Sequence, residues 1–181
     1  MKINLRIILM MGVFFIISME ARMSGPISAQ NKDILFYKNI SPFHQEGEAL
    51  WLRADGQLIV RDLTREVKVI VEKIYKIKLS DEQMKKYDNL IKKKSYENIT
   101  IKDRQGVPEE VRVHLSFISD DKSIKLEFWE GDLMKQDEKL KKLVDKVKSL
   151  SKIAMKTHPI SSKEFPIRTS VPDFWPSEMK R

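Results

Sequence analysis

Within residues 50–61 two short apolar runs, Leu50–Leu52 and Leu58–Val60, flank a polar segment, the pattern of two strands joined by a tight turn. A two-residue turn at 55–56 and a three-residue loop at 54–56 are both compatible with Asp55-Gly56, and they differ by one residue in register. Because a one-residue slip inverts the faces of a strand, the cleaner alternation favours the longer loop, with Gly56 left-handed. That register places four apolar residues on one face: Leu50, Leu52, Leu58 and Val60.

Apolar and polar residues alternate over residues 111–117 and 124–129, which predicts a second hairpin with its turn at residues 120–121. The register expected for a tight turn there pairs apolar residues on one face: Val113 with Phe128, Leu115 with Leu126 and Phe117 with Ile124. The opposite face then carries two mixed pairs, Arg112 with Trp129 and His114 with Glu127.

Residues 34–38 are a further strand candidate, and residues 67–79 predict one strand or two strands with a bulge. A helix from residue 81 to about 95 is indicated by Ser80 and Gln83, which can cap each other as a capping box. The clearest helical period follows the second hairpin, where one stripe collects Leu140, Leu143, Val144, Val147, Leu150, Ser151 and Ala154.

These elements predict an α+β fold: an antiparallel meander sheet of about five to six strands with two helices packed on one face. The domain is expected to span residues 30–156. Residues 157–181 contain several prolines and no periodicity, and they are interpreted as an extended C-terminal tail.

Residues 1–29 differ from the rest of the chain, because a short basic start precedes an apolar run at residues 7–19. Such a run suits a signal peptide and falls short of the roughly 20 residues that span a bilayer. The protein is therefore expected to be secreted or periplasmic. An uncleaved membrane anchor at residues 7–19 and a buried core helix remain alternatives, and contact with a membrane is expected only through this segment.

Composition narrows the chemistry further, since the chain has no Cys, only three His and a net charge of +8. Thiolate metal sites, disulfides and Cys nucleophiles are excluded, and the histidines lack ligand spacing, so no metal site or cofactor is expected. No assembled set of nucleophile and base points to an enzyme. The lysine-rich helix face lacks the aromatic residues and Arg of nucleic-acid binders, so no nucleic-acid partner is expected.

The face of the sheet turned away from the helices is the best candidate for a binding surface, because it combines Trp and Arg, the residues enriched at binding hot spots. The partner-binding residues predicted there are Trp51, Arg53, Arg112, His114 and Trp129. Two alternatives stay open: the tail, with Phe165, Phe174 and Trp175, covers this face, or the face is simply exposed.

Segments 50–61, 79–96 and 111–150 together resemble the layout of emfourin-like protease inhibitors and of other small secreted α+β domains. The resemblance implies a domain without catalytic activity that binds a protein partner. The sequence thus predicts an exported, non-enzymatic binding domain that recognises a protein, with an inhibitor-like module as one form. The alternative is a basic envelope-associated protein that binds anionic lipid or polysaccharide surfaces.

Overall fold

The computed structural model describes residues 33–91, 96, 99–101, 104–107, 109–119 and 122–167. The chain divides into two compact units, Met1–Asn31 and Lys32–Arg181, and all described residues belong to the second unit. The predicted signal segment at residues 1–29 and the tail residues Phe174 and Trp175 lie outside the described residues.

The elements of the described chain follow one another in a simple order. Four strands come first and are followed by a helix, a hairpin, a short 3-10 helix, a long helix and a last strand. Their bounds are β1 Asp33–Ile40, β2 Gly47–Arg53, β3 Gln57–Arg65, β4 Val69–Lys78, α1 Asp81–Ile91, β5 Arg112–Ser119, β6 Lys122–Trp129, the 3-10 helix Glu130–Lys135, α2 Glu138–Met155 and β7 Ser161–Pro166.

The strands form one antiparallel sheet in the order β6-β5-β1-β2-β3-β4-β7. The α+β class is confirmed, but the described sheet has seven strands and not the expected five to six. The meander is limited to β1–β4, because the chain then returns and pairs β5 with the free edge of β1.

The additional strand, β7, lies within the segment interpreted as an extended tail and pairs antiparallel with β4. None of its side chains is fully buried, and its sequence, SSKEFP, lacks the alternation of apolar and polar residues that indicates a strand. Its position depends on backbone pairing with β4, which a sequence pattern does not show.

The first hairpin has the three-residue loop and pairs Leu52 with Leu58 and Leu50 with Val60, as predicted. Gly56 has a φ of 83°, and its amide donates to the Arg53 carbonyl at 2.9 Å. The left-handed backbone favours glycine there, since other residues are strained at such angles.

The core lies between the sheet and the two helices, which pack on the face that carries Leu50 and Leu52. The stripe of α2 is buried as predicted except for Leu150, which is half-buried at its edge. The capping box of α1 is confirmed, with Gln83 accepting from the Ser80 amide at 2.8 Å. Residues 67–79 contain a single strand, β4, which spans Val69–Lys78, and the residues predicted to extend α1 to 95 lie outside the described part.

Candidate functional site

Three of the five predicted site residues meet on the outer sheet face, where the β5–β6 hairpin lies beside β1. Arg112 pairs with Trp129 and His114 pairs with Glu127, in the predicted register. Lys38 of β1 lies opposite His114 on the other side of β5. Because directly opposed residues project from the same face of a sheet, these five side chains share one surface.

Arg112 and Glu127 organise this surface. The Arg112 guanidinium carbon lies 5.2 Å from the centre of the Trp129 ring, so the two side chains form a cation–π contact. Arg112 Nε donates to Glu127 Oε2 at 3.2 Å, and His114 Nδ1 lies 3.2 Å from Glu127 Oε1. Arg112, His114 and Glu127 all remain partly exposed, so their polar groups face solvent.

The Trp129 ring is held by the connection that precedes β5. Its Nε1 donates to the Arg104 carbonyl at 2.9 Å, and the backbone of Gly106 lies against the ring. A Cβ added at Gly106 would lie 2.2 Å from Trp129 Cζ2, so only glycine allows this approach without displacement. Gly106 was not among the residues predicted for the site, and the single sign of its role in the sequence is a glycine within a polar connection.

Ion pairs link the connection that precedes β5 to the 3-10 helix. Arg104 donates from Nε to Asp132 Oδ2 and from Nη2 to Glu110 Oε1, each at 2.5 Å. Lys135 Nζ donates to Asp132 Oδ1 at 2.7 Å. The hydrogen bond from Lys135, with that from Arg104, holds the pKa of Asp132 below its ordinary value, because both favour the ionised carboxylate.

The β1–β2 loop forms the other side of the surface and is tightly hydrogen-bonded. The Ser41 amide donates to the Glu46 carbonyl at 2.8 Å, and Ser41 Oγ accepts from the His44 amide at 3.0 Å. The loop ends at Gly47, where an added Cβ would lie 2.0 Å from the Asn39 carbonyl oxygen. Within this loop Phe43 is 61% exposed.

Between these two segments lies a pocket of about 430 Å³, open to solvent, which we call the Trp129 pocket. Its volume falls within the range of about 300–1,000 Å³ that is typical of ligand sites. Val107 at its wall is 59% exposed, so apolar carbon is accessible beside the cationic groups. The lining is Lys38, Ile40, Pro42, Gly106, Val107, Glu110, Arg112, His114 and Trp129.

The two remaining predicted residues, Trp51 and Arg53, lie on the same face but outside this pocket. Trp51 is only 4% exposed and belongs to an apolar cluster with Ala49, Ile59 and Ile74. Arg53 Nη1 donates to Gln57 Oε1 at 3.0 Å. Since β1 separates β2 from β5, these residues stand about 10 Å from β5, two strand spacings away.

Comparison of the chain with protein-family models, with curated proteins and with solved structures gives no match. Among the described residues, no three His, Asp or Glu side chains are placed to hold a metal ion. No helix in that part of the chain has the length and apolar character needed to cross a membrane.

Proposed function

We propose that this protein is an exported, non-enzymatic binding domain that recognises another protein through the Trp129 pocket. The observation that carries the proposal is the contact of Arg112 with Trp129 at the wall of an open pocket. Arg and Trp are the side chains most enriched at protein-binding hot spots. The apolar run at residues 7–19 supports export.

The fixed geometry of the pocket supports binding over simple exposure. Hydrogen bonds and ion pairs hold both walls, the loop that follows Ser41 and the connection that contains Arg104. A partner therefore meets side chains that are already ordered, which lowers the entropy cost of association. Phe43 and Val107 expose large apolar side chains on these ordered segments.

The chemistry of the lining supports binding more than catalysis. The His114–Glu127 pair resembles a general base and the carboxylate that orients it. In hydrolases such a pair activates a nearby nucleophile. No Ser, Thr or Cys is among the described residues that line the pocket. Lys38 and Arg112 instead provide positive charge beside Ile40 and Val107, which suits a partner with an acidic residue next to an apolar one.

The resemblance of the sequence to emfourin-like inhibitors makes a secreted protease the first partner to test. The full-length protein would be immobilised and challenged with purified extracellular proteases and with the extracellular protein fraction. We expect one partner to bind, and to bind at least tenfold more weakly to Val107→Asp and to Arg112→Glu. Both positions are exposed or partly exposed, so the fold should tolerate the changes.

Val67→Asp is the matched control, because Val67 is 92% exposed and lies outside the pocket. The control variant should bind as the unchanged protein does. Equal binding by all variants would contradict the proposed site. A protease that binds this protein and keeps its full activity would contradict inhibition but not binding.

A second function, binding to anionic lipid or polysaccharide surfaces, is favoured by the exposed lysines of α2, Lys139, Lys142, Lys146 and Lys152, and by Lys156 directly after it. Exposed charges are screened within roughly 10 Å at 0.1 M salt, so such binding should fall steeply with ionic strength. Two results together would favour this function: the protein is retained on a polyanion at low salt and released at high salt, and no protein partner binds at the Trp129 pocket.

A further inference from the structure

The two helices leave an open groove between them on the side of the molecule that the Trp129 pocket does not use. The groove has a volume of about 410 Å³ and is lined by residues of both helices. Because the described part of α1 has 11 residues at about 1.5 Å each, the described length that both helices share is about 16 Å.

The floor of the groove is apolar and partly open to solvent. Tyr87 of α1 and Val147 of α2 are buried beneath it, and Leu150 is half-buried. Ile153 is 37% exposed, one of the few large hydrophobic side chains exposed in the described part of the chain. Apolar carbon gathered in a concave site marks a ligand site more often than the same carbon scattered on a convex surface.

The two rims of the groove carry positive charge, one lysine from each helix. Lys86 lies on α1 and Lys146 lies on α2, and both are exposed. Glu82, one turn before Lys86, pairs with it at 2.7 Å, but both side chains are highly exposed and water screens the pair. Lys146 forms no ion pair with another described residue.

We propose that this groove binds a soluble single-chain amphiphile with an anionic head, such as a medium-chain carboxylate. The apolar chain would lie on Val147, Leu150 and Ile153, and the head would be held by Lys86 and Lys146. Over its described length of about 16 Å the groove suits an acyl chain better than a partner helix, because stable protein interfaces bury more than about 1,000 Å². This site is independent of the Trp129 pocket.

The test is a titration of the full-length, isotope-labelled protein with decanoate below its micelle concentration, followed by NMR. We expect saturable shifts at the methyl groups of Val147, Leu150 and Ile153. Decanol, which has the same chain without the charge, should bind about tenfold more weakly, and butanoate, which lacks the chain, should not bind measurably.

Two matched pairs of variants separate the groove from general effects. Ile153→Asp and Lys146→Glu should each weaken decanoate binding at least tenfold. Ile160→Asp and Lys142→Glu make the same changes at exposed positions outside the groove and should leave binding unchanged. The Val107→Asp variant of the Trp129 pocket should also bind decanoate normally, so the two sites fail separately.

Three results would overturn the proposal. Shifts that do not saturate, or that lie away from the groove, would show the absence of a site. An equal loss of affinity in Lys142→Glu and Lys146→Glu would show attraction to overall charge. Binding to vesicles with anionic lipid, without binding to monomeric decanoate, would show a membrane surface as the true ligand.

Discussion

A few residues fix the geometry of the Trp129 pocket through close contacts. Gly106 lies against the ring of Trp129, and Arg104 accepts the indole N–H through its carbonyl while its guanidinium binds Asp132 and Glu110. Asp132 is therefore the carboxylate that anchors the pocket wall to the 3-10 helix.

Asp132 should make the stability of this region dependent on pH. Its pKa lies below the ordinary value of 3.8 in the folded protein, so the ionised carboxylate stabilises the fold above that pH. The contribution is lost as pH falls through the folded pKa. Asp132→Asn should therefore lower the free energy of unfolding at pH 7 and have a smaller effect near pH 3, measured by urea denaturation.

The exposed carboxylate of Asp145 on α2 provides the control for this comparison. Asp145→Asn should change the free energy of unfolding little at neutral pH, as expected for an exposed position. An Asp132→Asn effect that is as large at pH 3 as at pH 7 would show that lost packing, and not charge, is responsible.

At the scale of elements, α2 shows how a helix gains stability from one face. The Asp137 side chain caps its start by accepting from the Lys139 amide at 2.7 Å. The buried stripe of α2 then packs on the sheet residues that the sequence predicted, among them Leu52, Leu115 and Phe128. The helix is thus held by apolar burial, and its lysine-rich face is left for solvent.

Truncation of the stripe should be costly, and truncation of the solvent face should not. Leu143→Ala removes a fully buried side chain and should lower the free energy of unfolding by about 2–5 kcal/mol. Lys142→Ala, next to it in the chain but exposed, should cost less than about 0.5 kcal/mol. Chemical denaturation of both variants checks the difference, and equal shifts would contradict the assignment of the faces.

At the scale of the whole molecule, β7 completes the sheet and covers the edge of β4. The pairing runs from Val69 with Pro166 to Ile74 with Ser161, and the Ile160 amide also donates to the Ile74 carbonyl at 2.7 Å. Because β4 contains several buried apolar residues, an uncovered β4 would be an edge strand prone to pairing with another molecule.

Deletion of residues 160–181 should therefore cause self-association, which light scattering coupled to size-exclusion chromatography detects. The free energy of unfolding should fall by about 3 kcal/mol or more, because each lost ladder hydrogen bond contributes about 0.5–1.5 kcal/mol. Deletion of residues 168–181 keeps β7 and is the control. A shorter variant that is as monomeric and stable as the control would show that β7 does not protect β4.

The sequence by itself determined the features that depend on residues close together along the chain. Both hairpin registers followed from the positions of the apolar residues and from the length of the turns, and the second register placed Arg112 opposite Trp129 correctly. The capping box and the stripe of α2 were also readable, because a helix relates residues three or four positions apart.

Only the tertiary structure decided which elements meet. The pairing of β1 with β5, the addition of β7 and the approach of Gly106 to Trp129 all join segments that are distant in sequence. The hydrogen bond from Asn39 to Glu130, at 2.6 Å, joins residues that lie 91 positions apart. Such contacts depend on packing and backbone pairing between whole elements, and local patterns of polarity do not predict them. For the same reason the sequence grouped Trp51 with the pocket residues, although the fold buries it in a separate cluster.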